Sequence, residues 1–255
     1  ISRCDWSSDV CSSDLAYRAH APGQYWTFAH DVVRLPQCGA YAPAAMAQNL
    51  GNTGLAVTTD FRNFRRLGRL TSPVLDDRDV ILFPEKIGGK FAMMHRPKQF
   101  VGERYGVKYP SIWLKFSDDL LAWEDKPSHL LIAGREGTWE EKIGGSTPPI
   151  LTEAGWLTLY HGVADGGTAE YRVGALLLDR ENPLRVLART PEPILEPEFF
   201  YETEGFYSHC VFPTGNVVVD GVLYVYYGGA DKYVGVATCR LEELLNYLTE
   251  KCRCE

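Results

Sequence analysis

The chain repeats a two-strand unit about every sixty residues, and this repeat restricts its possible folds more than any other feature. Each of three copies has a proline near the start of a strand, a turn ending in glycine and a second, aromatic-rich strand. Their prolines, Pro84, Pro149 and Pro213, are 65 and 64 residues apart. Two alternating apolar runs around a short glycine turn predict an antiparallel hairpin. The copies are "VILFPEKIGGKFAMMHRP", "GGSTPPILTEAGWLTLYHGV" and "HCVFPTGNVVVDGVLYVYYGG".

A second signature, an apolar strand that runs into a polar turn, accompanies these hairpins in four copies. Repeated units of this size bury their faces by stacking on one another. Only residues 240–251 have helical periodicity, whereas a parallel β/α barrel needs a helix between successive strands. The pattern therefore predicts an all-β protein, a β-propeller of which about four blades are present. The four copies are "GLAVTTDFRNFRRLG", "SIWLKFSDDLLAWED", "YRVGALLLDRENPLRVLAR" and "YVGVATCRLEELLNYL".

The start of the chain differs from the rest in composition. Residues 1–15, "ISRCDWSSDVCSSDL", are rich in Ser and Asp and resemble a translated adapter, so we interpret them as non-native. Residues 16–255 are predicted to form a single propeller domain that is incomplete at its N-terminus.

Charge and cysteine spacing limit the possible partners. A net charge of −7 argues against nucleic acid or an anionic membrane as partner. No run of about 18 apolar residues occurs, so no membrane span is expected. Seven cysteines without a CxxC pair or zinc spacing predict reduced thiols, a cytoplasmic location and no metal site.

Cationic residues recur at the strand ends of the repeat. Arg78 and Arg96 lie at the outer ends of one predicted hairpin, so they should meet in space. Two guanidinium groups repel each other unless an anion or a carboxylate lies between them. Six residues after each turn glycine come His95, His161 and Tyr227, and equivalent positions of propeller blades converge on one channel.

Each candidate also has a simpler structural interpretation. The arginines could pair with nearby aspartates, Lys142 could be a solvated charge, and His161 could be a core residue. Asp231 comes shortly after two glycines and could have a structural role in a turn. Considered together, these strand-end groups predict a site for a dianion such as phosphate. Nucleotide binding has no support because GxxxxGK[ST] and GxGxxG are both absent.

The motifs resemble those of the β-mannoside phosphorylases of glycoside hydrolase family 130. The resemblance runs from about residue 49 to 248 and is carried by "RDVILFPEKIGGKFAMMHRP", "WEEKIGGSTPPILTEAGWLTLYHGV", "YRVGALLLDRENPLRVLAR" and "VFPTGNVVVDGVLYVYYGGADKYVGVA". It implies a five-bladed β-propeller with the active site in its channel. It also implies inverting phosphorolysis, in which inorganic phosphate releases mannose 1-phosphate from a β-mannoside.

The same resemblance implies roles for individual residues. Arg78, Arg96, Lys142 and His161 match the family's phosphate-binding residues. The sugar subsite would include Asp231, with Tyr227 and His95 nearby. No cofactor is implied, since inorganic phosphate is a co-substrate and the other partner is a small carbohydrate. The helical pattern at 240–251 could serve contacts in a homo-oligomer.

The general acid is the weakest part of the resemblance. The family uses an aspartate in a Glu-Asp-Pro-Arg motif, and this chain contains no Asp-Pro pair. Asp31 in "FAHDVVRLP" lies at about the right distance upstream and is the candidate. Ungapped alignment of "VVRLP" instead places Ala29 at that position.

Other functions remain open from the sequence. The acceptor could be a β-1,4-mannooligosaccharide or the glucose of a mannosyl-glucose. A hydrolase of the same fold could use Glu140 or Glu141 as its base, although adjacent glutamates on a connection are more simply solvated. An inactive, carbohydrate-binding fragment is the third interpretation.

Overall fold

The computed structural model describes residues 51–164 and 170–254 in full, and the backbone alone of residues 17–18, 25–33 and 50. The adapter-like segment 1–15 lies outside the described residues. Strands dominate, so the all-β prediction is confirmed. Every pairing between the named strands of the described part is antiparallel.

The strands that the structure describes form four separate sheets, and each sheet is continuous in sequence. The first contains β1 (Tyr17–Arg18), β2 (Tyr25–Val33), β3 (Leu50–Thr58) and β4 (Arg65–Arg69). The second contains β5 (Asp77–Leu82), β6 (Phe91–Pro97), β7 (Ile112–Ser117) and β8 (His129–Ile132). The third contains β9 (Lys142–Gly145), β10 (Ile150–Thr152), β11 (Gly155–Val163), β12 (Tyr171–Leu178) and β13 (Val186–Arg189). The fourth contains β14 (Val211–Val219), β15 (Val222–Gly229) and β16 (Tyr233–Arg240).

The three predicted hairpins are confirmed as β5–β6, β10–β11 and β14–β15. The second signature supplies β3, β7, β12 and β16. β7, β12 and β16 each pair with a hairpin strand in their own sheet, and β3 pairs with β2. Local alternation was therefore sufficient to identify most strands, because side chains of a strand point to opposite faces in turn.

Three apolar clusters lie between successive sheets. Val57 and Met93 belong to the cluster between the first and second sheets. Met94 and Trp156 belong to the cluster between the second and third, and Leu159 and Val225 to the cluster between the third and fourth. The inner strand β11 is buried on both faces, as expected for a strand between two clusters. The sheets thus stack in chain order, while a five-bladed propeller stays a prediction.

Two helices complete the described part. The predicted terminal helix is confirmed at Leu241–Lys251, and a short helix spans Phe200–Thr203. Leu244 and Leu248 of the terminal helix pack into the cluster between the third and fourth sheets. Neither helix of the described part is long and apolar enough to cross a membrane.

Candidate functional site

Arg78 and Arg96 lie directly opposite each other on β5 and β6. The register shifts immediately afterwards, between Arg78 and Ile81, and this bulge contains Asp79. Asp79 has a left-handed backbone, with φ of +52°. Bulges and strained non-glycine residues are concentrated near functional sites, where they redirect a side chain. The meeting of the two arginines that the hairpin predicted is therefore observed.

Asp76 partly neutralises the first arginine. Its Oδ1 accepts hydrogen bonds from Arg78 Nε at 2.7 Å and from the Gly51 amide at 2.9 Å, while Lys98 Nζ lies 3.2 Å from Oδ2. Burial raises the pKa of Asp76, but the hydrogen bond and charge of Arg78 and the charge of Lys98 outweigh burial and lower it. Asp76 is therefore ionised and anchors two cations.

Asp79 binds the second arginine. Its Oδ2 accepts a hydrogen bond from Arg96 Nε, and both side chains are buried. Arg96 Nη1 is also buried but has no hydrogen-bond partner among the described residues. A buried guanidinium nitrogen without an acceptor is costly, so this atom marks the place of an absent acceptor.

His161 approaches the same aspartate from the third sheet. Its Nε2 lies 3.6 Å from Asp79 Oδ2, and its Nδ1 lies 3.1 Å from Ser146 Oγ. Burial, together with the charges of Arg96 and Lys142, outweighs Asp79 and lowers the pKa of His161 to about 3. The imidazole is therefore neutral at physiological pH.

Lys142 and Tyr171 complete this side of the site. Lys142 Nζ lies 5.6 Å from the centre of the Tyr171 ring, which is 5.7 Å from the His161 ring. The sequence analysis did not single out Tyr171, although it is the first residue of the quoted segment "YRVGALLLDRENPLRVLAR". Its position opposite Val163, two residues beyond His161, is the signal that could have found it.

The groups above form one cationic cluster at the common end of the second and third sheets. Members influence each other's pKa: Arg96 of the second sheet and Lys142 of the third act on His161, and Arg78 acts on Lys98. With His161 neutral, the four cations and two carboxylates leave a net charge of +2 among the described residues. The cationic cluster consists of Arg78, Arg96, Lys98, Lys142, His161, Asp76 and Asp79.

Asp231 lies at the edge of this cluster, beyond the aromatic pair of Tyr171 and Tyr207. It has φ of +51° in the turn between β15 and β16, which agrees with the predicted turn position. The carbonyl of its neighbour Ala230 accepts a hydrogen bond from the Tyr207 amide at 3.2 Å, and the Tyr207 ring packs on Tyr171 at 5.3 Å. The backbone of Asp231 thus lies at the same end of the sheets as the cationic cluster.

His95 and Tyr227 occupy a different kind of position. Each is buried and bonded to its own carboxylate: His95 Nδ1 lies 2.9 Å from Asp77, and Tyr227 Oη donates to Glu202 at 2.6 Å. Tyr227 lies within an apolar cluster. Their predicted roles in sugar binding stay predictions, with less structural support than that of Asp231.

Counting six residues from each turn glycine aligned His161 with His95 and Tyr227. In the structure, this alignment is wrong by one residue in the third sheet. Tyr160 and Tyr227 are the matching pair, since each donates a hydrogen bond to a buried glutamate and lies opposite a glycine of the next strand. His161 instead matches Arg96 in the second sheet, and both contact Asp79. Each of these turns has two residues, but Gly89 and Gly221 are the second residue of their turns, whereas Gly155 is the first strand residue after its turn.

The expectation of solvated glutamates before β9 was also wrong. Glu140 is fully buried and accepts hydrogen bonds from Tyr160 Oη at 2.5 Å and Arg189 Nη2 at 2.7 Å. Glu141 is buried too, and its Oε1 accepts a hydrogen bond from the Gly137 amide at 2.8 Å. Both carboxylates hold the connection in place, so neither is a free base for activating water.

Asp31 lies on β2, opposite Asn52 of β3, while its side chain is outside the described residues. The residue before Asn52 is Gly51, whose amide binds Asp76. The backbone of Asp31 is therefore close to the cationic cluster. Ala29, the alternative alignment, lies opposite Gly54.

A large open cleft lies elsewhere, between the terminal helix and the turn from β10 to β11. It has a volume of about 750 Å³, and Glu153, Arg180, Arg240 and Glu242 are among its lining residues. None of its lining residues belongs to the cationic cluster. Cleft volume alone therefore does not identify the site.

The fold and the site define an all-β protein in which a partly buried cationic cluster lies at the common end of two stacked antiparallel sheets. Comparison with known proteins narrows this class. The sequence model of glycoside hydrolase family 130, described as beta-1,4-mannooligosaccharide phosphorylase, matches residues 44–250. The chain belongs to glycoside hydrolase family 130.

Curated relatives are mannoside phosphorylases. A 1,2-beta-oligomannan phosphorylase of Thermoanaerobacter sp. is 46% identical over 67% of this chain and 54% of its own length. A beta-1,2-mannobiose phosphorylase of Listeria innocua is 36% identical over 88% of this chain and 61% of its own length. The chain thus spans little more than half the length of these relatives.

A solved structure shares the fold. It is the beta-1,2-mannobiose phosphorylase from Listeria innocua in complex with beta-1,2-mannobiose, with a TM-score of 0.73 and 33% identity. The match covers 92% of this chain and 60% of the solved one.

Proposed function

We propose that the protein is a β-mannoside phosphorylase in which the cationic cluster binds inorganic phosphate. The observation that carries the proposal is that Arg96 and His161, from two sheets, both contact Asp79. Arg78 lies opposite Arg96, and the charge of Lys142 acts on His161. Arg96 Nη1, which is buried without a partner among the described residues, supplies a donor for an anion. The cluster's net charge of +2 complements hydrogen phosphate.

The reaction follows from this arrangement. Phosphate attacks the anomeric carbon of a terminal β-mannose while the glycosidic C–O bond breaks, and the acceptor oxygen leaves with a proton from the general acid. The products are mannose 1-phosphate with inverted configuration and the free acceptor sugar. Because phosphate already carries negative charge, no strong general base is needed. The cationic cluster therefore orients the nucleophile, and no cofactor takes part.

We place the sugar at the common end of the sheets, with Asp231 as its partner in the subsite and Asp31 as the general acid. The four sheets would then be blades of a five-bladed β-propeller that is incomplete in this chain. The family resemblance and the backbone position support Asp231, whereas Asp31 is supported by its distance upstream and by its backbone position opposite Asn52.

A β-1,2-linked mannoside is the substrate that we propose first. The relative at 46% identity and the solved structure at 33% both carry names that specify this linkage. The relative named for the β-1,4 linkage, from Ruminococcus albus, is 32% identical. β-1,4-Mannobiose and mannosyl-glucose are therefore the alternatives.

Calorimetry with inorganic phosphate tests the proposal directly, since binding does not depend on the general acid. Arg96→Gln should weaken phosphate binding at least about tenfold, because a buried charged donor is lost. The exposed Arg62→Gln is the matched control. Wild-type protein that binds no phosphate would contradict the proposal.

Turnover is measured on β-1,2-mannobiose, β-1,4-mannobiose and mannosyl-glucose, with and without phosphate. Mannose 1-phosphate that forms only with phosphate supports phosphorolysis, whereas phosphate-independent release of mannose indicates a hydrolase. Asp31→Asn should abolish turnover but leave phosphate binding intact. Unchanged turnover would remove Asp31 from the acid role.

A further inference from the structure

The hydroxyl of Ser146 has no role in the function proposed above, yet it is fully buried against the catalytic end of the third sheet. Ser146 follows β9, and its amide donates a hydrogen bond to the Leu159 carbonyl. Its Oγ lies 3.1 Å from His161 Nδ1. The side chain is therefore held at one nitrogen of an imidazole whose other nitrogen faces Asp79.

The two neighbours of the ring determine which nitrogen carries the proton. A neutral imidazole has one N–H donor and one acceptor nitrogen. The Asp79 carboxylate forms an ion pair with Arg96 and acts as an acceptor, so a lone pair on Nε2 would face its negative charge. The arrangement without this conflict has the proton on Nε2 and a lone pair on Nδ1 that accepts the Ser146 hydroxyl hydrogen.

We propose that Ser146 is a positioning residue that fixes His161 in its neutral tautomer protonated on Nε2, so that phosphate meets a neutral hydrogen-bond donor. This inference rests on the proposed function, in which the cationic cluster binds phosphate. The distance of 3.6 Å from Nε2 to Asp79 Oδ2 is too long for a hydrogen bond. The Nε2 proton therefore remains available to a phosphate oxygen.

The surroundings of His161 favour its neutral form. Full burial lowers its pKa, and two nearby cations act in the same direction. Protonation would also raise the charge of the cluster beyond what a dianion neutralises. The charged and titratable groups that face the ring come from four strands: Asp79 from β5, Arg96 from β6, Lys142 from β9 and Tyr171 from β12.

The tautomer is measured by ¹⁵N NMR of the histidine rings, which separates protonated from unprotonated nitrogens. The His161 signals are assigned by their absence in His161→Asn. Wild-type protein should show a protonated Nε2 and an unprotonated Nδ1. Ser146→Ala should produce a mixture of tautomers and weaken phosphate binding about fivefold, the effect of one hydrogen bond.

Ser111→Ala is the matched control. Ser111 is equally buried, but its hydroxyl donates to the Tyr109 carbonyl away from the ring. This variant should leave the His161 tautomer and the phosphate affinity unchanged.

The possible failures are distinguishable. Absence of phosphate binding in wild-type protein would overturn the proposed function. Phosphate binding with the proton on Nδ1, or a Ser146→Ala variant with unchanged tautomer and affinity, would overturn the role of Ser146 alone. The wild-type spectrum decides the tautomer even if Ser146→Ala does not fold.

Discussion

At the scale of single residues, Gly144 is the position at which the cationic cluster tolerates least change. It lies opposite His161 in the pairing of β9 with β11. A Cβ atom here would collide with Asp79 Oδ2 and lie 2.6 Å from His161 Cε1. The absence of a side chain therefore allows the two sheets to bring a carboxylate and an imidazole together.

We expect Gly144→Ala to weaken phosphate binding at least about tenfold, because the carboxylate or the ring must move. Gly145→Ala is the control, since its Cβ would meet the flexible end of Ile81 at 2.9 Å. Calorimetry with inorganic phosphate compares the two variants. Equal affinities for both variants would show that the geometry around Gly144 is unimportant.

His161 should also contribute a measurable pH dependence to stability. The pKa of His161 is about 3 in the folded protein and near 6.5 when the side chain is exposed. Between these pH values the unfolded chain binds a proton at His161 and the folded protein does not. The stabilisation is complete above pH 6.5 and declines by about 1.4 kcal/mol per pH unit as the pH falls towards 4.

Urea unfolding in phosphate-free buffer measures this contribution. Between pH 6.5 and pH 4, the free energy of unfolding should fall less steeply in His161→Asn than in wild-type protein. The exposed His129→Asn is the control and should retain the wild-type slope. Parallel curves for His161→Asn and wild type would contradict a neutral, buried His161.

At the scale of secondary-structure elements, the connection from β8 to β9 is fixed by buried charge. Glu140 binds Tyr160 of β11 and Arg189 of β13, so one carboxylate joins the connection to two strands. Burial, together with the charge of Glu140, raises the pKa of Tyr160, which therefore remains a hydrogen-bond donor. This network places Lys142, two residues further on, at the cationic cluster.

We expect Glu140→Gln to reduce the free energy of unfolding by about 3 kcal/mol, because Arg189 would retain a buried charge without its partner. Glu136→Gln in the same connection is the control, since that side chain is exposed. Thermal and urea unfolding provide the comparison. A loss no larger than that of Glu136→Gln would show that the network does not hold the connection.

The strands were predictable from sequence because alternation and turn residues are local. The hairpin β5–β6 and the meeting of Arg78 with Arg96 followed from the spacing alone. Counting from the turn glycines could not align His161 correctly, because Gly155 stands one position later relative to its turn than Gly89 and Gly221 do, and one residue of shift reverses the face of a strand.

At the scale of the whole molecule, the fourth sheet differs from the second and third in having one exposed face. Leu223 and Val225 point into the cluster shared with the third sheet. The opposite face is apolar and open to solvent. Its most exposed residues are Val217, Val219, Tyr226, Val234 and Val236.

Threonine substitutions should distinguish the two faces. Val234→Thr with Val236→Thr should change the free energy of unfolding by less than about 0.5 kcal/mol, since both side chains are already in water. Val225→Thr on the buried face should cost about 2 kcal/mol, because a hydroxyl loses its hydration. Urea unfolding tests both variants, and equal losses would contradict the assignment of faces.

The sequence alone determined the all-β class, the repeat, three hairpins, the terminal helix and the residues from which a phosphate site could be built. Only the tertiary structure decided that Asp79 contacts both Arg96 and His161, that Tyr171 belongs beside Lys142, and that Glu140 is buried. Periodicity reports which face of a strand a residue occupies, because it depends on near neighbours in the chain. Contacts between sheets join residues far apart in sequence, and their partners are set by how the sheets stack.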